Sequence, residues 1–331
     1  MKIIFGKPYI TEKEIEEVID SLKTGWIGKG PKTARFEKMF TEYSGAKYAV
    51  ALNSCTAALY ISLRFFNIKE GDEVITTPLT FAATANVIEN CDAKTIFVDV
   101  EKNSGCINPD LIEEKITKNT KAIIPVHYCG YPCEIEKILK IAKKYKLKVI
   151  FDAAHCIEGK YRNKHIANFG DAVCFSFYAT KNITTAEGGM LCTNNRKLYE
   201  YAKLFSTQGL SSDAWTRSKQ KDKYYSVVLA GMKFNMCDLQ AAIGIQQLLK
   251  IEKLYQIRLR QWQRYNLELK ETGLILPLMP DEKIKRHSLH LYTILIDKKR
   301  CGISRDELKK ELEKSGIGTG IHFISLHNHK Y

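Results

Sequence analysis

The sequence predicts an α/β protein with a large, mostly parallel sheet that carries helices on both faces, followed by a smaller C-terminal α+β unit. Between residues 46 and 195, short runs of β-branched residues alternate with amphipathic stretches, which is the pattern of repeated βαβ units. A long helical pattern then leads into a second, shorter group of elements. We therefore expect a large domain over residues 1–250 and a small domain over residues 251–331.

Within the large domain, the apolar patterning separates candidate strands from candidate helices. Strands are predicted at KYAVAL (47–52), DEVITT (72–77), KTIFVDV (94–100), KAIIPVHY (121–128), KVIFDAA (148–154), AVCFSFY (172–178) and GGMLCTN (188–194). Helices are predicted at TAALYISLRFF (56–66), FAATANVIEN (81–90), PDLIEEKI (109–116) and EIEKILKIAKKYK (134–146). This alternation predicts a doubly wound core.

The rest of the chain predicts one long helix and the small α+β unit. The helical pattern runs from residue 237 to Gly273, a residue type that commonly ends helices. Ser304 and Glu307 have the spacing of a capping box and predict a helix over residues 304–316. Strands are predicted on either side of it, at HLYTILID (290–297) and GIHFI (320–324).

Composition and charge narrow the classes of function. The hydrophobic fraction of 45% suits a buried core, and no apolar run approaches the ~20 residues that a membrane span needs, so we expect a cytoplasmic protein with no membrane partner. Ten irregularly spaced cysteines are typical of buried thiols in a reducing compartment. The formal charge of +14 favours an anionic partner, but the sequence has no helix-turn-helix pattern and no basic stripe with interleaved aromatics. We therefore expect an anionic small substrate and no nucleic acid.

The sequence predicts no metal site. In CGYPC, Cys129 and Cys133 stand one residue too far apart for a CxxC pair, and no second pair follows them. His322, His327 and His329 have neither a carboxylate nor a cysteine beside them.

Ligands of an open parallel sheet bind at the carboxyl ends of its strands, so the residues after each predicted strand are candidates for function. After KYAVAL comes the polar turn NSCTAAL, which leads into a helix. The backbone N–H groups of Cys55 and Thr56, with the hydroxyls of Ser54 and Thr56, predict a phosphate site at a helix N-terminus. A plain helix N-cap is the alternative.

Two further strands end in candidate residues. Asp152 ends the strand KVIFD, and His155 follows three residues later. A buried Asp152 needs a cation or hydrogen-bond donors, since an unpaired buried carboxylate is costly; the alternative is an aspartate that caps the next segment. Phe81 stands at the start of a predicted helix, where an aromatic ring either packs in the core or stacks on a flat cofactor.

Lys181 lies in SFYATKNITTAEGGM (176–190), a run of small residues that lets the backbone approach a ligand. Most lysines of such a chain are solvated charges. An amine placed among apolar and small residues at the strand ends is partly desolvated, which lowers its pKa and makes it a nucleophile toward carbonyls. A phosphate cradle, a buried carboxylate, a stacking ring and a nucleophilic lysine together match pyridoxal 5′-phosphate.

Eight stretches, in this order, resemble the nucleotide-sugar aminotransferases of the DegT and StrS group, which are pyridoxal-phosphate enzymes of fold type I. They are GWIGKGPKTARFE (25–37), NSCTAAL (53–59), GDEVITTPLTF (71–81), TKAIIPVHYCGYP (120–132), DAAHCIEGKY (152–161), FSFYATKNITTAEGGM (175–190), MKFNMCDLQAAIGIQQL (232–248) and GIGTGIHF (316–323). The resemblance implies the fold type I architecture, this cofactor and a homodimer with a shared active site.

The resemblance also implies roles for single residues. Lys181 matches the lysine that binds the cofactor covalently and moves the proton, and Asp152 matches the carboxylate that pairs with the pyridine nitrogen. The other matching cofactor-binding positions are Cys55, Thr56 and Ser176 near the phosphate, Phe81 and Ala154 on the two faces of the ring, His155 near the ring hydroxyl, and Asn235, which reaches the phosphate of the neighbouring subunit. Ser54 joins this cofactor-binding set through its predicted place at the helix N-terminus.

Within the group, the chain is similar to the UDP-4-amino-4-deoxy-L-arabinose aminotransferases, which aminate C4 of a UDP-linked 4-keto sugar. The stretches that carry this similarity are KNITTAEGG (181–189), GLSSDAW (209–215), KFNMCDLQAAI (233–243) and RCGISRDEL (300–308). The similarity implies a nucleotide-linked keto sugar and L-glutamate as substrates, for surface polysaccharide or glycan biosynthesis. Candidate substrate contacts are Trp26, Lys29, His322 and His327.

Two alternatives remain at this stage, namely a sugar dehydratase of the same fold and a regulatory DNA-binding protein suggested by charge alone. The dehydratases of the group carry a histidine where this chain has Lys181, which favours amino transfer. The chain departs from the family pattern at Cys55, where glycine or alanine is usual. We also expect a small domain shortened by roughly fifty residues relative to family members.

Overall fold

The structure is a computed structural model, and it describes residues 2–212 and 224–331. Part of the stretch GLSSDAW (209–215) lies outside the described residues. The strands, numbered along the chain, are β1 (Tyr48–Leu52), β2 (Glu73–Thr76), β3 (Lys94–Phe97), β4 (Thr120–Ile123), β5 (Lys148–Asp152), β6 (Lys160–Tyr161), β7 (Lys164–His165), β8 (Ala172–Ser176), β9 (Gly189–Thr193) and β10 (Lys285–Arg286).

A seven-stranded sheet in the order β1-β9-β8-β5-β4-β2-β3 forms the centre of the molecule. The pairs from β8 through β5, β4 and β2 to β3 are parallel, and β9 runs antiparallel to both of its neighbours. Six of the seven strands fall within runs that the sequence predicts, β4 begins one residue before its run, and the mostly parallel α/β fold is confirmed. A smaller sheet, β10-β6-β7, consists of two-residue strands and was not predicted.

The helices are α1 (Glu12–Thr24), α2 (Pro31–Ser44), α3 (Cys55–Phe65), α4 (Ala82–Glu89), α5 (Ile135–Tyr145), α6 (Arg196–Phe205), α7 (Asp238–Leu249), α8 (Ile251–Leu269), α9 (Lys298–Cys301) and α10 (Arg305–Lys314). They cover both faces of the sheet. Along β5, Phe151 packs with the core on one face and Ile150 with the core on the other, because successive side chains of a strand alternate. Among the described residues, no helix is both long and apolar enough to span a bilayer.

Three predicted helical boundaries need correction. The pattern over 237–273 forms two helices, because Lys250 leaves helical geometry (φ −110°, ψ 7°), and the second helix ends at Leu269 rather than at Gly273. The stretch 109–116 forms only two short 3₁₀ turns, since Ile116 adopts extended backbone (φ −77°, ψ 127°). The capping box of Ser304 and Glu307 forms as predicted at the start of α10.

The two strands predicted around α10 do not form. In 290–297, the N–H of Leu291 donates to Cys129 O, and only Leu295 makes an isolated bridge, to Ile275. In 320–324, the carbonyl of His322 accepts the hydroxyl of Tyr128 instead of a ladder bond. Tertiary contacts therefore replace strand pairing in both segments. The predicted division into two domains at residue 250 stays a prediction.

Candidate active site

Asp152, the last residue of β5, is a buried carboxylate with capacity for a further donor. Its Oδ2 accepts from Thr84 Oγ1 at 2.8 Å, and its Oδ1 accepts from the N–H of Ala154 at 3.0 Å. Thr84 donates its one hydroxyl proton here, so Thr80 Oγ1, at 2.8 Å, donates to Thr84. Burial raises the pKa of Asp152, although these hydrogen bonds and the charge of Lys181 act to lower it. A carboxylate offers about four acceptor positions, so this one can still bind a cationic donor.

Lys181 lies in the turn between β8 and β9, where its backbone N–H donates to Tyr178 O at 2.9 Å. Burial lowers the pKa of its amine, while the negative charge of Asp152 acts to raise the pKa. Because burial prevails, a larger fraction of this amine is neutral near pH 7 than for an exposed lysine. The direction of the shift agrees with the desolvated amine that the sequence predicts.

The N-terminus of α3 faces the same edge of the sheet. Ser54 caps it, with Oγ accepting from the N–H of Ala57 at 3.1 Å. The first-turn N–H groups of Cys55 and Thr56 have no partner within the helix and carry its positive dipole end, which suits an anion. A Cβ on Gly189 would lie 2.3 Å from the carbonyl carbon of Ser54, so only glycine lets β9 begin this close to the cap. The capping alternative therefore holds for Ser54, and its phosphate role stays a prediction.

The thiol of Cys55 links this helix end to Asp152. Its Sγ donates to Cys174 O at 3.4 Å and lies 4.0 Å from Asp152 Oδ1. Burial and the neighbouring carboxylate raise the pKa of Cys55 well above its usual value, so the thiol stays protonated. Cys55 thus fills this position as a small neutral side chain.

Three histidines lie within electrostatic range of the lysine, and each has a lowered pKa. Burial first, and the charge of Lys181 second, hold the pKa of His155, His290 and His322 below the usual histidine value. The ring centroids of His155 and His290 are 4.6 Å apart. Nδ1 of His155 accepts from the N–H of Cys129 at 3.3 Å, so its proton is on Nε2.

Phe323 joins these rings to Phe81. Its ring stacks on His155 at 5.9 Å and lies 6.0 Å from the ring of Phe81, which is 63% exposed at the N-cap of α4. An exposed aromatic face on the ligand side of the sheet is available to a flat ligand. Ala154, which directly precedes His155 in the chain, is partly buried.

Asn235 has a buried side-chain oxygen that lacks a partner among the described residues. Its Nδ2 donates to Met236 O at 3.0 Å, and its backbone forms an isolated bridge with Leu52, the last residue of β1. At the end of β8, Ser176 Oγ accepts from the N–H of Tyr178 at 3.3 Å. Both residues lie beside strands that end at the site, and their cofactor contacts stay predictions.

The other predicted substrate residues lie in two segments. Trp26 and Lys29 belong to the loop between α1 and α2, where Trp26 Nε1 donates to Lys29 O at 3.2 Å. The ring of His322 lies 5.5 Å from that of Phe5. His327 is exposed in a 3₁₀ turn, Leu326–Asn328. The structure brings His322 into the electrostatic range of Lys181, and substrate binding by all four residues stays a prediction.

Sequence reasoning missed several residues that contact the site. Thr84 lies one helical turn after Thr80, and only the fold shows that it reaches Asp152. His290 and Phe323 come from the C-terminal part of the chain, where strands were predicted. Asn182 follows Lys181 directly, and this adjacency was the one available signal.

The residues present fit pyridoxal phosphate on structural grounds. Asp152 keeps acceptor positions for a protonated ring nitrogen, and the first turn of α3 offers N–H groups for the phosphate. Lys181 supplies a partly desolvated amine for the aldehyde. Each of the cofactor's three recognition features therefore has a complementary group at one edge of the sheet.

Comparison with known proteins identifies the family. The model of the DegT/DnrJ/EryC1/StrS aminotransferase family matches residues 8–331, and the chain belongs to this family. An uncharacterized Methanocaldococcus jannaschii protein is 51% identical over 327 residues, which cover 98% of this chain and 84% of that protein. The Bacillus subtilis spore coat polysaccharide biosynthesis protein SpsC is 43% identical over 330 residues, or 99% of this chain and 84% of SpsC.

Solved structures give the same assignment. A Streptococcus pneumoniae protein assigned as a sugar aminotransferase, in its PMP form, superposes with a TM-score of 0.92 at 31% identity, covering 99% of this chain and 87% of that one. Helicobacter pylori PseC, an aminotransferase involved in pseudoaminic acid biosynthesis, superposes with a TM-score of 0.91 at 30% identity, covering 100% and 87%. The fold is that of fold type I aminotransferases, and pyridoxal phosphate is the cofactor.

Proposed function

We propose that this aminotransferase moves an amino group from L-glutamate to a nucleotide-linked keto sugar, with amination at C4 of a UDP-linked 4-keto sugar, in surface polysaccharide or glycan biosynthesis. The observation that carries the proposal is that the buried carboxylate of Asp152 and the partly buried amine of Lys181 lie within electrostatic range of each other. Burial shifts the pKa of the acid upward and that of the amine downward, while each charge favours the other. Such opposed shifts beside one another are typical of a site that transfers protons.

When bound, pyridoxal phosphate supplies an electron-poor ring that stabilises the negative charge left after a proton is removed. Asp152 would accept a hydrogen bond from the ring nitrogen and keep that nitrogen protonated. Nζ of Lys181 would hold the cofactor at rest and would serve as the base and acid that moves the donor's proton. The amides of Cys55 and Thr56 would bind the phosphate, and the ring of Phe81 would pack against the cofactor ring.

The sugar substrate is supported by the relatives rather than by a contact in this chain. SpsC is named for polysaccharide biosynthesis, and PseC for pseudoaminic acid biosynthesis. The net charge of +14 and a cation such as Lys29 suit a diphosphate. The unpaired buried oxygen of Asn235 supports an active site completed by a second subunit, since such an atom is costly unless a partner reaches it.

The test is to incubate the purified enzyme with glutamate and a panel of UDP-, dTDP- and GDP-linked sugars that carry the ketone at C3 or C4. Mass spectrometry and NMR then identify the amino sugar and the aminated carbon. The proposal expects the amine at C4 of a UDP-linked sugar, and Lys148→Ala, which changes an exposed lysine at the start of β5, serves as the control that keeps activity. Amination at C3 alone, or of no nucleotide sugar, would contradict it.

A further inference from the structure

Asn182, directly after Lys181, has a side chain whose amide is fully hydrogen-bonded. Its Nδ2 donates to Glu158 Oε2 and to Ser288 O, both at 2.8 Å, and its Oδ1 lies 2.8 Å from Nδ1 of His290. A carboxylate and a carbonyl only accept hydrogen bonds, so they fix which end of the amide faces them. The side chain of Asn182 therefore has one orientation, and its hydrogen bonds fix the position of this neighbour of Lys181.

Glu158 holds that amide from a position with no solvent exposure. Its relative accessible surface is 0%, and its Oε1 pairs with the guanidinium of Arg258 from α8. Burial raises the pKa of Glu158, and the charge of Arg258 opposes the rise. The carboxylate is thus held between a cation on α8 and the amide of the lysine's neighbour.

His290 takes its tautomer from the same arrangement. Because Oδ1 of Asn182 is an acceptor, Nδ1 of His290 carries the proton, and its Nε2 carries the lone pair. Gly130 lets this segment pack closely, since its φ is +101° and a Cβ there would lie 3.0 Å from His155 O and 3.2 Å from the N–H nitrogen of His290. The ring of His290 is consequently held against His155 in one protonation pattern.

We propose that Glu158 is a positioning residue for Lys181, acting through Asn182 to fix both the turn that carries the lysine and the tautomer of His290. The inference rests on the proposed catalytic role of Lys181. Glu158 is not among the residues proposed to bind the cofactor. Its effect is to hold Nζ of Lys181 in one place, because a misplacement of about 1 Å costs about 100-fold in rate.

Exchange of the acid and the amide tests this coupling. The side chain of residue 158 lies between two donors, the amide NH₂ of Asn182 and the guanidinium of Arg258. In Glu158→Gln, the new NH₂ group therefore faces one of these donors. In Asn182→Asp, a carboxylate faces Glu158 and Ser288 O. The double variant restores a donor against an acceptor between positions 158 and 182, leaves an oxygen for Arg258 and keeps the acceptor for His290. Only Ser288 O still faces an oxygen, so recovery is expected to be partial.

The matched control is Glu14→Gln, which neutralises a carboxylate that is just as buried. Glu14 is 1% exposed and binds Lys250, Gln247 and Thr11 rather than the neighbour of the catalytic lysine. It controls for the loss of a buried charge. Its melting temperature is expected to fall as those of the single variants do, without a change at Lys181.

The first readout is the rate of the half-reaction with glutamate in stopped flow. We expect each single variant to lose about tenfold to 100-fold in the maximal rate while the half-saturating glutamate concentration changes less than about threefold. The double variant recovers at least tenfold over the slower single variant, and Glu14→Gln keeps the wild-type rate.

The second readout uses cofactor-free protein, in which competitive acetylation across pH and peptide mass spectrometry give the pKa of Lys181. We expect that pKa to rise toward the ordinary lysine value of about 10.4 in both single variants, as water enters, and to return in the double variant. An unchanged lysine pKa and rate in folded single variants, or an equal change in Glu14→Gln, would overturn the proposal. A double variant whose rate is no higher than that of the slower single variant would also overturn it. So would the failure of both single variants and the double variant to fold.

The two readouts separate this inference from the proposed function. If no nucleotide sugar is aminated, the substrate assignment fails, while acetylation of the cofactor-free protein still decides whether Glu158 acts on Lys181. If Lys181→Ala keeps its turnover, the catalytic role on which the inference rests fails. An unchanged Lys181 in Glu158→Gln removes the positioning role alone.

Discussion

Asp152 and Asp238 are both buried aspartates at the start or end of a main element, yet their surroundings differ. Asp238, the first residue of α7, accepts four hydrogen bonds: Oδ1 from the N–H of Gly30 at 2.8 Å, the N–H of Thr33 at 2.9 Å and its hydroxyl at 2.7 Å, and Oδ2 from the N–H of Lys32 at 2.9 Å. Asp152 accepts two, from Thr84 and Ala154. Asp238 thus accepts as many hydrogen bonds as a carboxylate ordinarily takes, whereas Asp152 keeps about two acceptor positions for a ligand.

This difference is what we expect between a structural carboxylate and the functional one proposed at Asp152. Three of the four donors to Asp238 belong to the N-terminal turn of α2, so the charge also meets the positive end of that helix dipole. Asp152 instead faces Lys181, and burial shifts the pKa of both groups toward the middle of the pH range. Both aspartates are expensive to bury, but only at Asp152 can a ligand complete the hydrogen bonding.

The largest expected effect comes from Lys181, the amine within electrostatic range of Asp152. Lys181→Ala removes the only amine that the account assigns to proton transfer, so turnover should fall by at least about 10⁴-fold. The melting temperature should stay the same or rise, because a partly desolvated amine is removed. Turnover with glutamate and differential scanning calorimetry check this, and a variant that keeps wild-type turnover would end the account.

Asp152→Asn is expected to lower the rate by about 10²- to 10³-fold while the protein stays folded. An amide cannot keep the ring nitrogen protonated, although it can still accept from Ala154 or Thr84. Single-turnover kinetics with glutamate measure the loss. Near-normal rates would contradict the pairing assigned to Asp152.

Asp238→Asn should show the opposite pattern. Its new NH₂ group faces donors only, which we expect to destabilise the fold by ~2–4 kcal/mol. Urea unfolding at pH 7 measures the stability, and kcat at 20 °C of the folded fraction should stay within about threefold of wild type. A large loss of kcat with unchanged stability would reverse the roles given to the two aspartates.

Glu14 adds a second structural carboxylate to the comparison, and its contribution to the free energy of unfolding depends on pH. Hydrogen bonds from Lys250, Thr11 and Gln247 outweigh burial and lower its pKa from 4.5 to about 2. A lowered folded-state pKa stabilises the protein above about pH 4.5, and this contribution is lost as the pH falls from 4.5 toward 2. The stability gap between wild type and Glu14→Gln, of the order of 1–2 kcal/mol at pH 7, should therefore shrink on acidification, as urea titrations at pH 7 and pH 3 can show. A gap independent of pH would contradict the assignment.

Local patterns predicted much of the fold, because each central strand is a continuous β-branched or apolar run bounded by turn residues. The break at Lys250 escaped prediction, since neither glycine nor proline marks it. The composition of segment 290–297 is typical of a strand, but the hydrogen bond of Leu291 to the loop at Cys129 overrides its β-propensity. Propensity cannot report such contacts between distant parts of a chain.

The candidate site divides in the same way. Asp152 and Lys181 stand at the ends of predicted strands, where position alone suggests function. Glu158 and His290 both bond to Asn182, from 24 residues before it and 108 residues after it in the chain, and this separation hides the link. Their roles depend on hydrogen-bond geometry that only the folded chain has.

Reductive trapping tests the central claim, that Lys181 is the functional amine of this site, most directly. The enzyme is purified with pyridoxal phosphate, reduced with borohydride and digested, and mass spectrometry locates the lysine that carries the phosphopyridoxyl group. The account predicts the label on Lys181, and its retention there in Asp238→Asn at a temperature where that variant is folded. A label on another lysine, or unlabelled Lys181 in an active enzyme, would contradict it.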